Sequence, residues 1–71
     1  MNRLKEIRNL RGLTQYELGN RIGKYQSRIW QLEKGYYGPK EWEKVAIAKV
    51  LGVEINEIFP EFGHNLGTEV K

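Results

Sequence analysis

Residues 14–35, TQYELGNRIGKYQSRIWQLEKG, predict two short helices separated by a tight turn. Thr14 precedes Glu17 by three residues, which is the spacing of a capping box. In a capping box each of the two side chains accepts a hydrogen bond from the other residue's backbone N–H. Gly23 tolerates the positive φ with which helices often end. The first of the two helices therefore begins after Thr14, ends before Gly23 and makes about two turns.

Gly19 lies in the middle of this helix, where a glycine costs about 1 kcal/mol relative to alanine. The simplest compensation for that cost is a close approach by another helix at this position, where a side chain would be in the way. We therefore expect a second helix to cross the first one at Gly19.

The second helix of the stretch is expected over residues 25–34, with Gly35 as its stop. A rotation of about 100° per residue places Ile29 and Leu32 on one face, with Tyr25 beside them. The opposite face and its edges carry polar and aromatic side chains: Gln26, Ser27, Arg28, Trp30, Gln31 and Lys34. A solvated helix would more often carry interleaved charges there. Glutamine suits adenine and arginine suits guanine, so this face favours contact with the edges of DNA bases.

The order of these residues resembles the lambda-repressor-like, Cro-type helix-turn-helix family, also called the XRE family. The resemblance spans residues 2–59 and rests on these features: T-Q-x-x-L-G-x-x-x-G from Thr14, Ile29, Leu32-Glu33, Gly35, Pro39, and the segments 47–53 and 54–59. It implies an all-α, compact five-helix DNA-binding domain, with the helix-turn-helix formed by helices 2 and 3. It also implies a dimer that binds pseudo-palindromic operators with its third helix in the major groove.

The resemblance, together with side-chain chemistry, assigns roles to individual residues. The base-reading residues are expected to be Gln26, Ser27, Arg28 and Gln31. The phosphate-binding residues are expected to be Gln15, Lys24, Lys34 and Lys40. In the family, the arginine that matches Arg8 pairs with the glutamate that matches Glu33. This structural pair is expected to be partly buried and to orient the third helix.

Three residues depart from the family's pattern. Lys24 replaces a small apolar residue and Tyr25 replaces a Ser or Thr cap, and neither side chain caps a helix well. Lys24 can still bury its stem and extend its ammonium towards a phosphate. Trp30 replaces a small polar residue, and two interpretations of it stay open: it contacts a thymine methyl or a deoxyribose, or it covers an apolar neighbour. For Tyr36 and Tyr37 the alternatives are DNA contact and packing, and at least one of them is expected to pack.

The flanking segments predict the other three helices. The first helix is expected over residues 2–11, with an apolar face formed by Leu4, Ile7 and Leu10, and the last over residues 54–59. The fourth helix opens at Lys40, after a proline that leaves amides available to an anion. Its expected core stripe repeats at a spacing of three: Trp42, Val45, Ala48 and Leu51. Its acidic residues are interpreted as charges that complement the helix dipole: Glu41 and Glu43.

Composition limits the classes of function. The chain has 71 residues and no cysteine, so neither a disulfide nor a thiolate zinc site is expected. A core of this size leaves no room for a buried catalytic cavity. The only histidine is His64, and no second His or Cys accompanies it as a metal ligand. We therefore predict that the protein is not an enzyme and that it binds neither a metal nor a cofactor.

The uneven charge of the chain predicts a polyanion as the partner, and its hydropathy predicts no membrane span. Residues 1–40 hold nine Lys or Arg against three Glu, whereas residues 41–71 hold three Lys against six Glu. The positive half contains the predicted reading helix, which is the pattern expected for binding DNA. No apolar run approaches the roughly 20 residues of a membrane span, so a cytoplasmic protein without a membrane partner is expected. The family resemblance adds a bacterial, archaeal or phage origin.

Two functions from different classes follow. The first is a sequence-specific, DNA-binding transcriptional regulator, and more narrowly a repressor that occludes a promoter as a homodimer. The alternative is an antitoxin or another protein-interaction module with a small protein partner. Polar residues on the third helix favour the first function, whereas Trp30, Phe62 and Leu66 keep the second open. The domain is expected to occupy residues 1–60, and residues 61–71 are expected to form a flexible tail, in which Phe62 and Leu66 are the candidates for a dimer surface.

Overall fold

The computed structural model describes residues 2–60, and within this range the chain forms five α-helices and no strand. The helices are α1 (Leu4–Leu10), α2 (Gln15–Ile22), α3 (Gln26–Lys34), α4 (Glu41–Leu51) and α5 (Ile55–Ile58). The predicted all-α, five-helix class is confirmed. Phe62, His64 and Leu66, with the rest of the predicted tail, lie outside the described residues. None of the helices within residues 2–60 has the length and apolar character that a membrane span requires.

The capping box at the start of α2 is confirmed. The Thr14 N–H donates to Glu17 Oε1 at 2.9 Å, and the Glu17 N–H donates to Thr14 Oγ1 at 3.0 Å. At the other end, Gly23 has φ = 74°, a left-handed conformation in which a side chain would be strained. Both ends of α2 are therefore determined by residues within the helix-turn-helix stretch itself.

Gly19 has a different neighbour from the one predicted. A Cβ atom built on Gly19 would lie 2.6 Å from the backbone oxygen of Lys24, and 3.2 Å from the carbonyl carbon of Tyr25. The Lys24 N–H also donates to the Gly19 oxygen at 2.8 Å. The predicted close approach at Gly19 is therefore confirmed, and α3 packs against α2, but the approaching atoms belong to the backbone of the turn that leads into α3 and not to the helix itself.

A single core joins the five helices. It consists of these buried apolar residues: Leu4, Ile7, Leu18, Ile22, Ile29, Leu32, Ile47, Ala48, Leu51, Ile58 and Phe59. Backbone oxygens at the ends of α4 and α5 accept hydrogen bonds from the first helix and its flanks. Arg11 Nε donates to the Leu51 oxygen at 2.7 Å, and the Arg3 N–H donates to the Ile58 oxygen at 2.9 Å. The closing helices are thus attached to the beginning of the chain.

The predicted core stripe of α4 is wrong at its first two positions, because Trp42 and Val45 are exposed. Nine residues at about 100° each place Trp42 and Leu51 half a turn apart, so a spacing of three cannot keep both on one face. The observed core face repeats every four residues, at Glu43, Ile47 and Leu51. A spacing of three residues likewise rotates Leu10 of α1 away from the core face. Leu10, which was predicted to lie on the apolar face of that helix, is 69% exposed.

Candidate nucleic-acid interface

Helix α3 presents its first residues to solvent because its opposite face is in the core. Ile29 and Leu32 are almost completely buried, whereas Gln26 and Ser27 are exposed. Tyr25 was expected beside the two core residues but is 85% exposed. It precedes the helix in an extended conformation with φ = −80° and ψ = 159°, so the helical rotation used to place it does not apply.

An open groove with a volume of about 610 Å³ lies between the beginnings of α2 and α3. Its lining combines amide, hydroxyl and aromatic side chains: Gln15, Tyr16, Tyr25, Gln26, Ser27 and Trp30. Tyr16 was not predicted to belong to the site. Its place in the sequence could have indicated it, because Tyr16 directly follows Gln15 in the first turn of α2.

The indole of Trp30 is held in place by two neighbours. The Tyr36 ring meets it edge-on, with ring centroids 5.4 Å apart and an interplanar angle of 72°. The Lys34 Nζ lies 5.7 Å from the Trp30 ring centroid, within the range of a cation–π interaction. Tyr36 therefore packs, as expected of at least one of the two tyrosines, and both Tyr36 and Tyr37 are largely exposed.

Two other lysines predicted to bind phosphate, Lys24 and Lys40, lie near the start of α4. The half-buried Lys24 has its Nζ 5.5 Å from the ring centroid of Trp42, an exposed residue of α4. Lys40 is the exposed residue that precedes α4, and its backbone N–H donates to Glu43 Oε1 at 2.8 Å. The Lys24 ammonium thus faces an aromatic ring, and the side chain of Lys40 extends from the end of the loop.

Arg28 is bound on both edges by protein groups. Its Nε donates to Glu43 Oε2 at 2.9 Å and its Nη2 to Glu43 Oε1 at 2.7 Å. Nη2 also donates to the Gly38 oxygen at 3.2 Å, and Nη1 to Gln31 Oε1 at 3.4 Å. These partners compete with the base-reading role predicted for Arg28.

Glu43 is completely buried, although it was predicted only to complement the dipole of α4 near the start of the helix. Hydrogen bonds from Arg28 hold the pKa of the Glu43 carboxyl below its ordinary value. The Lys40 N–H acts on this pKa in the same direction, whereas burial acts to raise it. The available signal was the four-residue spacing of Glu43, Ile47 and Leu51, which places the carboxylate on the core face.

A second buried network joins α1, α2 and α3. Arg8 Nε donates to Glu33 Oε2 at 2.6 Å, and Gln15 Nε2 donates to Glu33 Oε1 at 2.9 Å. The side chains of Arg8 and Glu33 are only 8% and 4% exposed, so the predicted contact is present and buried. Arg8 Nη1 also donates to the Leu13 oxygen at 2.7 Å. This hydrogen bond from the Gln15 amide nitrogen holds the start of α2 against the end of α3. The same nitrogen carries a second N–H donor.

Polar groups in the interior are satisfied. Within residues 2–60, every buried side-chain nitrogen or oxygen has a hydrogen-bond partner. No group of three or more His, Cys, Asp or Glu residues in the same range is placed to hold a metal ion. The features of the described chain that stand out are therefore the groove, the exposed amide and hydroxyl groups of α3, and the two arginine–carboxylate pairs whose carboxylates are buried.

Comparison with known proteins gives a consistent result. A family model described as "Helix-turn-helix" matches residues 4–58. An uncharacterized HTH-type transcriptional regulator of Methanocaldococcus jannaschii is 41% identical over 58 residues, which are 82% of this chain and 88% of the relative. A similarly named regulator of Methanothermobacter thermautotrophicus is 44% identical over 57 residues, covering 79% of this chain and 83% of the relative. No solved structure gives a significant match.

Proposed function

This chain belongs to the Cro-type helix-turn-helix family of DNA-binding transcriptional regulators, and from that premise we propose that it is a sequence-specific repressor that reads its operator with α3. The observation that carries the proposal is the arrangement of Gln26 and Ser27. Both side chains are exposed at the N-terminal end of a helix whose other face is buried through Ile29 and Leu32. An α-helix presented in this way fits the major groove, where base edges carry a distinct donor and acceptor pattern.

The proposed division of labour separates base reading from phosphate binding. Gln26 and Ser27 would contact base edges, with Gln31 further along the same helix. Four residues around them would hold the DNA backbone: Gln15, Lys24, Lys34 and Lys40. Phosphate contacts position a protein on the duplex without reporting its sequence, whereas base contacts confer specificity.

The Arg8–Glu33 pair supports this function by orienting α3. Glu33 lies near the end of α3 and receives hydrogen bonds from Arg8 of α1 and Gln15 of α2. Three helices therefore meet at one buried carboxylate. We expect this connection to hold α3 at a constant angle to α2, whose first residue, Gln15, is one of the proposed phosphate contacts.

We further propose that the protein acts in the cytoplasm as a homodimer on a pseudo-palindromic operator, with half-sites about 34 Å apart. The family relationship supports the dimer. Phe62 and Leu66, the predicted dimer contacts, lie outside the described residues. Within residues 2–60, an open cleft of about 430 Å³ between α4 and α5 offers apolar surface from Val45, Val53 and Ile55 to a second copy.

Selection from a randomised DNA library at physiological salt tests this function, followed by sedimentation with and without the selected duplex. We expect a pseudo-palindromic consensus and two chains per duplex. A library without any enriched sequence would refute sequence-specific binding. The alternative, a protein-interaction module, requires a complex with a small protein that forms without DNA. The position of Trp30, in the same groove as Gln26 and Ser27, favours the DNA-binding function.

A further inference from the structure

We propose that Glu43 is a specificity-determining, positioning residue, which withholds Arg28 from guanine and leaves the reading surface selective for A·T base pairs. This inference rests on the proposed DNA-binding function and specifies the class of base pair that the surface takes. It combines two observations: the pairing of Arg28 with the buried carboxylate of Glu43, and the aromatic groove at the start of α3.

The N–H donors of Arg28 already have acceptors within the protein. A guanine is read by two N–H groups of an arginine, which donate to O6 and N7 in one plane. In this protein the Nε and Nη2 atoms of Arg28 point at the two oxygens of Glu43, and its Nη1 and Nη2 atoms also donate to Gln31 and Gly38. Every nitrogen of the guanidinium is therefore engaged within the protein.

Separating Arg28 from Glu43 would be energetically costly, because the Glu43 carboxylate is buried. Glu43 has no solvent exposure, and its other hydrogen bond comes from the Lys40 N–H. Turning Arg28 towards a base would leave a buried carboxylate without its cationic partner, which is strongly unfavourable. Guanine therefore competes with a preformed, charge-assisted fork. Glu43 never touches DNA in this scheme, and it acts on specificity through Arg28.

With Arg28 engaged, the groups that remain available to a base pair are the Gln26 amide and the aromatic groove beside it. Gln26 is exposed, and a glutamine amide matches the N6 and N7 groups of adenine. The groove beside it is bounded by the rings of Tyr16, Tyr25 and Trp30. Aromatic carbon suits the C5-methyl group of thymine, which projects into the major groove from the same base pair. The occupant assigned to the groove is therefore the methyl-bearing edge of an A·T pair.

A comparison of base preferences tests the role of Glu43. Libraries with randomised half-sites are selected with the wild type, with Glu43→Gln and with Glu41→Gln. The wild type is expected to select A·T at the positions that face α3, and Glu43→Gln to enrich guanine at one position per half-site by at least about tenfold. Glu41→Gln removes the same charge from an exposed carboxylate of the same helix, and is expected to keep the wild-type preference.

The result that would overturn this role is a wild-type consensus with a guanine that disappears in Arg28→Ala, because Arg28 would then be reading it. An unchanged consensus in a folded Glu43→Gln protein would overturn it too. Circular dichroism establishes that each variant is folded. If Glu43→Gln does not fold, the comparison of wild type with Arg28→Ala decides. A wild type that selects no sequence at all contradicts the proposed function instead.

Replacement of thymine by deoxyuridine in the selected operator tests the groove, because deoxyuridine lacks only the methyl group. Loss of one buried methyl is expected to weaken binding by the wild type about fourfold. In Trp30→Ala this loss should shrink towards onefold, whereas Tyr37→Ala, which changes an exposed ring outside the groove, should retain it. Equal binding of the thymine and deoxyuridine operators by the wild type would overturn the assignment of the groove.

Discussion

The guanidinium of Arg28 on α3 donates to both carboxylate oxygens of Glu43 on α4, at 2.9 and 2.7 Å. The carboxylate is completely buried, and the arginine side chain is 18% exposed. The helix expected to read DNA is thereby fastened to a helix that belongs to the core. We therefore expect stability and, under the proposed function, base preference to depend on the same ion pair.

Stability in acid should depend on Glu43. Its pKa in the folded protein is lowered by Arg28, so the unfolded chain binds more protons as the pH falls below about 4.5. The stabilisation is fully present above the unfolded pKa and is lost as the pH falls through the folded pKa. We expect Glu43→Gln to flatten this dependence, as measured by urea unfolding between neutral pH and the acid limit of folding. Parallel pH profiles for the two proteins would contradict the prediction.

Glu33→Ala should destabilise the domain by about 3–5 kcal/mol, because it leaves the buried Arg8 without its partner. Affinity for the operator should fall as well, since α3 loses its ion pair with α1. Urea unfolding followed by circular dichroism measures the first effect, and titration of the operator measures the second. Glu6→Ala is the control, because it removes an exposed carboxylate that pairs with Arg3, and it should change the unfolding midpoint very little. An unchanged midpoint in Glu33→Ala would show that the buried pair does not stabilise the fold.

Gly19→Ala should destabilise the protein although alanine is the better helix former. The added Cβ would lie 2.6 Å from the Lys24 oxygen, a backbone atom that cannot swing away. Overpacking of this kind typically costs about 1–3 kcal/mol, which outweighs a gain of about 1 kcal/mol in helix propensity. Thermal unfolding compares this variant with Asn20→Ala, an exposed change in the same helix that meets no steric obstacle and should leave the melting temperature unchanged or slightly raised. A higher melting temperature for Gly19→Ala than for the wild type would refute the steric argument.

Gln26→Ala and Lys40→Ala should affect DNA binding in different ways. The first is expected to cost about 1–3 kcal/mol on the selected operator and to relax discrimination at one base pair. The second should weaken binding to all sequences alike and reduce the salt slope by about one unit, because it removes a phosphate contact. Titrations of operator and random duplex at several salt concentrations measure both effects. If the two variants lose the same affinity on both duplexes, the division into base-reading and phosphate-binding residues is wrong.

Several features of the fold were predictable because they depend on near neighbours in the chain. The capping box of Thr14 and Glu17 spans three residues, and the glycine stop at Gly23 needs only its own φ. The core face of α3 followed from the spacing of Ile29 and Leu32. The contact between Arg8 and Glu33 joins distant residues, and it was predicted only through the family resemblance.

Other features were not predictable from local patterns. A spacing of three residues on α4 selected Trp42 and Val45, because several faces of an apolar helix look equally suitable until its neighbours are known. The groove brings Tyr16 of α2 beside Tyr25 and Trp30, which depends on the path that the chain takes between α2 and α3. That path passes close to Gly19, where the Lys24 backbone leaves no room for a side chain.

Neighbouring residues were enough to locate both ends of α2 and the end of α3, since the Thr14–Glu17 capping box and the glycines at 23 and 35 act through hydrogen bonds and torsions within a few residues. The contact between Arg28 and Glu43, fifteen positions away on another helix, follows only from how the helices pack. The rotation of α4 about its own axis settles whether that carboxylate faces water or the core. Packing against the other helices sets this rotation, because the four-residue spacing of Glu43, Ile47 and Leu51 is compatible with it but does not by itself rule out a stripe at a spacing of three.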